Sequence, residues 1–127
     1  MLANLGWVAL GGALGAASRF LLHRLASLWF GLEFPWGTLG INIAGCFAIG
    51  CLIGACANQP WFESFGRAFL IVGFLGAFTT FSTFSMDAIN LLEQSRIFSA
   101  IMYAGGTTVL CLLFAWLGLR MSEVIFY

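Results

Sequence analysis

Along this chain, long apolar runs alternate with short polar interruptions. Met1–Ser18, Pro35–Phe62, Ala68–Met86 and Ile97–Leu119 each contain no charged residue. A helix rises about 1.5 Å per residue, so about 20 apolar residues cross the roughly 30 Å hydrocarbon core of a bilayer. The pattern therefore predicts an all-α integral membrane protein with four transmembrane helices, over approximately residues 3–29, 36–57, 62–92 and 97–119 of one domain covering 1–127. The interruptions are predicted as loops at Phe30–Pro35, Asn58–Trp61 and Glu93–Arg96. Trp29 and Trp36 flank the first, as aromatic anchors do at the headgroup level, and Pro35 suits a helix start.

Small residues recur on the predicted spans. Gly11, Gly15 and Ser18 continue one face of the first, widened by Gly12. Gly37, Gly45, Gly50 and Gly54 do the same on the second. Such faces let helices approach closely in lipid, where packing rather than water exclusion drives association.

The anomaly is the stretch Gly76–Ser85. Five of its ten residues carry hydroxyls and three are Phe, inside an otherwise apolar span. Its span is also longer than a straight crossing requires, and glycines with paired β-branched residues predict a helix broken near Gly76–Thr80. Irregular backbone at membrane depth is tolerated only where protein, water or an ion satisfies it. Such a break would offer carbonyls to a cation and hydroxyls to an anion. Beyond it, Phe81 and Phe84 share a face, as do Thr80 and Thr83, and Ser82 and Ser85. The two rings admit two readings, plain packing or positive edges lining an anion path.

Other polar positions carry the same ambiguity. Asn42 lies on one face with Thr38 and Gly45, either as interhelical glue or as an amide donor facing a pore. Tyr103, one turn from Thr107, is an interhelical hydrogen bonder or a pore hydroxyl. Arg19 either snorkels to the interface or points inward near an anion entrance. His23 reads as interfacial, and Asp87 as an acid near the end of its span.

Composition narrows the class. Hydrophobic residues make up 61% and charged residues 8%, with a mean hydropathy of +1.00. A soluble domain carries about a quarter charged residues. One His and no acid within the span cores leave no general acid–base pair, so no enzyme is expected. Cys46, Cys51, Cys56 and Cys111 fall within spans without metal-ligand spacing and read as small packers. The N-terminus lacks the basic region of a signal peptide. No nucleic-acid partner is expected; the partners are membrane lipid and a second copy of the chain.

That second copy follows from charge. Arg67 and Arg120 mark one side of a four-span topology and Arg24 and Arg96 the other, so the positive-inside rule gives no orientation. The absence of bias predicts insertion both ways and an antiparallel homodimer with a two-fold axis in the membrane plane. Two rival readings remain: a small dual-topology multidrug-type exporter, which wants an acid deep in the first span that Met1–Ser18 lacks, and a non-transporting membrane assembly subunit, which leaves the deep hydroxyls unexplained.

The run Thr79-Thr80-Phe81-Ser82-Thr83-Phe84-Ser85 resembles the signature of the Fluc (CrcB-type) fluoride channel family. So do Gly37-Thr38-Leu39 with Asn42 and Gly45, the Gly12–Arg19 run, and Tyr103-Ala104-Gly105. The resemblance implies a dual-topology dimer in the bacterial cytoplasmic (inner) membrane with two antiparallel fluoride pores, giving passive fluoride export. It places Phe81 and Phe84 against fluoride, Asn42 as a pore donor, Thr80, Ser82, Thr83 and Tyr103 on or beside the polar track, and Arg19 at the vestibule. It implies a structural Na+ at the dimer interface, held by the backbone carbonyls of Gly76 and Thr79. Two departures stand out: Asp87 where family members carry Glu, and Cys111 where a hydroxyl residue is expected.

Overall fold

The computed structural model describes all 127 residues, Met1–Tyr127. Every regular element is helical: α1 (Leu2–Phe30), α2 (Trp36–Cys56), a wide-turned π segment (Phe62–Leu75) closed by the single turn α3 (Gly76–Phe78), α4 (Phe81–Glu93) and α5 (Ile97–Phe126). Four helical stretches are long and apolar enough to cross a membrane, the third being Phe62–Glu93 taken as a whole. The fourth helix runs past the predicted end at Leu119 to Phe126, and the C-terminal turns carry the Arg120–Glu123 ion pair at 3.0 Å. The sequence pattern did not foresee the π geometry of Phe62–Leu75.

The helix ends explain the chain reversals. Gly31 adopts φ 78° and closes α1 through its N–H to the Ser27 carbonyl, a left-handed conformation that glycine adopts without Cβ strain. Pro35 caps α2, with the Leu39 N–H on its carbonyl at 3.2 Å. The Gly31–Pro35 and Gln94–Arg96 loops meet, because Arg96 donates from Nη1 to the Glu33 carbonyl. At the opposite end, the Tyr127 hydroxyl reaches the Ala55 carbonyl at 3.4 Å. Both termini and the Ala57–Pro60 turn therefore lie on one side, and the two other loops on the other.

Packing runs through glycine. α1 lies on the π segment and α3, while α2 lies on α5. A Cβ on Gly11 would run into the Phe69 carbonyl, and one on Gly15 into the Phe74 carbonyl. Gly50 opposes the Ala115 carbonyl and Gly54 the Leu119 carbonyl. These two contacts share an offset of 65 residues (115 − 50 and 119 − 54). α2 and α5 thus run parallel, both starting on the side of the Gly31–Pro35 loop, with matched rungs every four residues. The same offset pairs Thr38 with Tyr103, Asn42 with Thr107 and Cys46 with Cys111.

The enclosed apolar core is small. One cluster joins Ile41, Leu75 and Phe78; the other joins Leu91, Ala100 and Tyr103. Most large apolar side chains point outward, among them Leu10, Leu14, Phe20, Leu112 and Trp116. In water so much exposed apolar surface would aggregate; in a bilayer it is solvated by lipid.

Candidate functional site

The site grows from the interruption at Thr79–Thr80. Thr79 (φ −84°, ψ 155°) and Thr80 (φ −151°, ψ 120°) are both extended, so the break falls at the C-terminal end of the predicted window. β-branched residues favour this backbone, and Gly45 on α2 makes room for it. A Cβ there would collide with Thr79 Cγ2.

Asn42 satisfies the break. Its Oδ1 accepts the Thr80 N–H at 2.8 Å, and its Nδ2 donates to the Thr80 carbonyl at 3.0 Å. A side-chain amide thus pairs with a backbone peptide as a neighbouring strand would. The glue reading of Asn42 is realised, and one amide N–H is left over for another acceptor. Sequence reasoning placed Thr80 on the polar track but did not foresee its second role as the cap of α4. Its Oγ1 accepts the Thr83 N–H at 3.2 Å and lies 3.3 Å from Thr83 Oγ1 and 3.2 Å from Ser82 Oγ. The signal was visible, since Thr before an amphipathic run is an N-cap residue.

These two diversions take the regular helical donors away from two carbonyls. In an unbroken helix the Thr80 N–H would bond the Gly76 carbonyl, and the Thr83 N–H the Thr79 carbonyl. Asn42 takes the first donor and Thr80 Oγ1 the second. The hydroxyl of Thr79 turns away and donates to the Leu75 carbonyl at 2.8 Å.

The rings beyond the break form a ladder. Phe81 and Phe84 have centroids 5.5 Å apart and tilted by 48°. Phe84 lies 5.2 Å from Tyr103, which meets Phe34 edge-on at 5.5 Å. Phe81 is 79% exposed, whereas Tyr103 is 1% exposed. The Tyr103 hydroxyl donates to Asp87 Oδ2 at 3.1 Å, so the shorter acid does reach a partner. That contact was missed from sequence, because the residues are sixteen positions apart on different helices.

Two grooves meet at Thr80. The larger, about 610 Å³, is lined by Arg19, His23 and Arg24 with Thr38, Thr80 and Thr83. Arg19 is half-buried there and its Nε has no partner within the chain, which favours the inward reading over snorkelling. The smaller groove, about 300 Å³, is lined by Asn42, Thr79, Thr80, Phe81, Phe84, Thr107 and the thiols of Cys46 and Cys111, among others. Thr107 Oγ1 is buried there without a partner. Sequence spacing linked Thr107 to Tyr103 without assigning it to the site. Ser82 and Tyr103 line neither of these two grooves.

A half-buried polar break in a four-span apolar fold, with hydroxyls and rings around it and Arg19 lining one of its grooves, marks a multi-pass membrane protein with polar groups at membrane depth. Its lineage is clear from sequence comparison. Residues 6–119 match the family described as CrcB-like protein, Camphor Resistance (CrcB), and the chain belongs to that family. A relative from Magnetococcus marinus is 40% identical over 122 residues, covering 96% of this chain and 99% of its own. One from Vibrio parahaemolyticus is 43% identical, covering 92% of each. One from Aquifex aeolicus is 41% identical, covering 91% of this chain and 94% of its own. All three are named fluoride-specific ion channel FluC.

Proposed function

We propose that the protein is a fluoride-selective channel of the bacterial inner membrane, giving passive export of fluoride from the cytoplasm. The observation that carries this reading is the Asn42-clamped break, with Thr80, Thr83, Phe81 and Phe84 around it. Fluoride is small and holds its water tightly, so a pore must offer replacement donors. Hydroxyls, the spare Asn42 N–H and the positive edges of aromatic rings do so without a fixed charge that would trap the ion. α4 begins at the break, so the positive end of its dipole faces the same region. Arg19 adds a positive potential at the entrance through the larger groove.

The physiological logic needs no energy coupling. Hydrogen fluoride enters as a neutral acid and ionises in a more alkaline cytoplasm. A passive fluoride leak then lets the membrane potential expel the anion.

The assembled unit in this reading is an antiparallel homodimer inserted in both orientations. The charge balance of the two sides supports it, as does exposed Phe81 beside an open groove. The released carbonyls of Gly76 and Thr79 suit a hard cation such as Na+. One chain offers two such oxygens, and two copies related by a two-fold axis would offer four. When bound, the cation would supply a fixed positive charge at the dimer centre; this chain's own residues free the oxygens and hold the break open.

The deciding experiment is efflux of fluoride against chloride from liposomes containing the purified protein. Fluoride efflux with chloride retained supports the reading, and equal fluxes, or none, reject it.

A further inference from the structure

The smaller groove holds a pair of thiols to which the conduction reading assigns no role. Cys46 on α2 and Cys111 on α5 both line it, beside Asn42, Phe81 and Phe84. The 65-residue offset fixed by Gly50 and Gly54 puts them on one rung of the α2–α5 interface, where both border the same groove. The remaining cysteines are placed differently. Cys51 packs where Gly118 approaches α2, and neither Cys51 nor Cys56 lines the groove. No third His, Cys, Asp or Glu joins the pair, so the only anionic donors the groove can supply are two thiolate sulfurs, beside neutral hydroxyls and an amide.

That donor set selects soft ions. Charge selects further. Two protonated thiols are neutral, and exchanging both protons for one divalent ion leaves the site neutral. A monovalent soft ion on two thiolates would leave a net negative charge in an apolar groove, which is unfavourable. A hard divalent ion would find no carboxylate there to balance its charge. The remaining class is a divalent d10 ion content with two linear sulfur bonds.

We propose that Cys46 and Cys111 form a two-sulfur site for a soft divalent cation of the mercuric class, and that its occupancy closes the groove to anions. Each thiol passes its proton to water, two S–Hg bonds form, and two aquo or halide ligands leave the metal; no electron changes hands. Closure rests on the fluoride-conduction reading, whereas binding does not.

The test uses the full-length protein in liposomes, with mercuric chloride as the probe and excess glutathione as a single-thiol competitor. Wild-type protein should retain one mercury per chain, and its fluoride efflux should fall to the protein-free rate until dithiothreitol restores it. Cys46→Ala, Cys111→Ala and the size-matched Cys111→Ser should each weaken retention at least about a hundredfold, because the second bond is no longer intramolecular. A Cys51→Ala/Cys56→Ala variant should behave as wild type. Undiminished retention in the Cys46 or Cys111 variants overturns the site. Retention with unaltered efflux overturns closure. Absence of fluoride efflux before mercury is added would instead reject the conduction reading, with retention still deciding the site.

Discussion

The side chain of Asn42 and the peptide of Thr80 bond each other twice, at 2.8 and 3.0 Å. Asn42 is 8% exposed and Thr80 half-buried, so both bonds are largely shielded from bulk water. Removing one partner from a buried pair leaves the other unsatisfied, at about 1–3 kcal/mol per group. Asn42→Ala orphans the N–H of Thr80 and removes one of the donors to its carbonyl, which also caps the first turn of α4. It should lower the unfolding temperature of the detergent-solubilised protein and abolish fluoride efflux. Asn42→Asp retains the acceptor but loses the donor, and should fall between in stability. Wild-type stability in Asn42→Ala would mean the break is held by something else.

The two rings differ in environment and should separate stability from flux. Phe81 is mostly exposed and makes one of the two pairs, so Phe81→Ile should lower the unfolding temperature less than Phe84→Ile while fluoride efflux falls. Phe84 packs on Phe81 and Tyr103, and its replacement by Ile forfeits about 0.5–1.5 kcal/mol per aromatic pair in addition to flux. Efflux at the wild-type rate in both variants would reduce the rings to packing elements.

Tyr103 and Asp87 form a bond that a double-mutant cycle can isolate. Tyr103→Phe keeps the ring ladder and removes only the donor, and Asp87→Ala removes the acceptor. Their coupling energy should be about 0.5–1.5 kcal/mol in chemical unfolding. Additive effects would show that the bond contributes nothing net.

Glycine contacts give a stability prediction with a built-in control. Gly15→Ala and Gly50→Ala drive a methyl into the Phe74 and Ala115 carbonyls, whereas a Cβ on Gly6 or Gly40 has nothing within 4 Å. Overpacking costs about 1–3 kcal/mol, so the first two should lower the unfolding temperature and the second two should not. Equal effects across the four would mean that helix propensity, not interhelical approach, decides.

Orientation can be tested by charge alone. Two Lys residues added at one terminus supply the missing positive-inside bias. Chains locked this way should give little fluoride efflux alone and recover it when mixed with chains locked the other way. Full efflux from one locked form would refute antiparallel pairing.

Much of this was legible in the sequence for physical reasons that also mark its limits. Charge-free runs of about 20 residues admit few structures besides membrane helices, so four spans could be read directly. The break was announced by hydroxyls and glycines at depth, but its position at Thr79–Thr80 depends on Asn42, which composition cannot pair with it. The offset between α2 and α5 was likewise hidden. Each helix shows a small or polar residue every four positions, yet only the glycine contacts fix which rung faces which. The π segment and the Asp87–Tyr103 bond left no one-dimensional trace, because both arise from how elements fit together.

The clamp has a further consequence for how the chain is built. At about 1.5 Å per residue, neither Phe62–Phe78 nor Phe81–Glu93 is long enough to cross the core alone, so the break must enter the bilayer with its peptide groups bare. Asn42 precedes Thr80 by 38 residues, and chains are made N-terminal end first. The amide is therefore already within the membrane when Thr79 and Thr80 arrive, and the order of synthesis supplies the partner before the need for it.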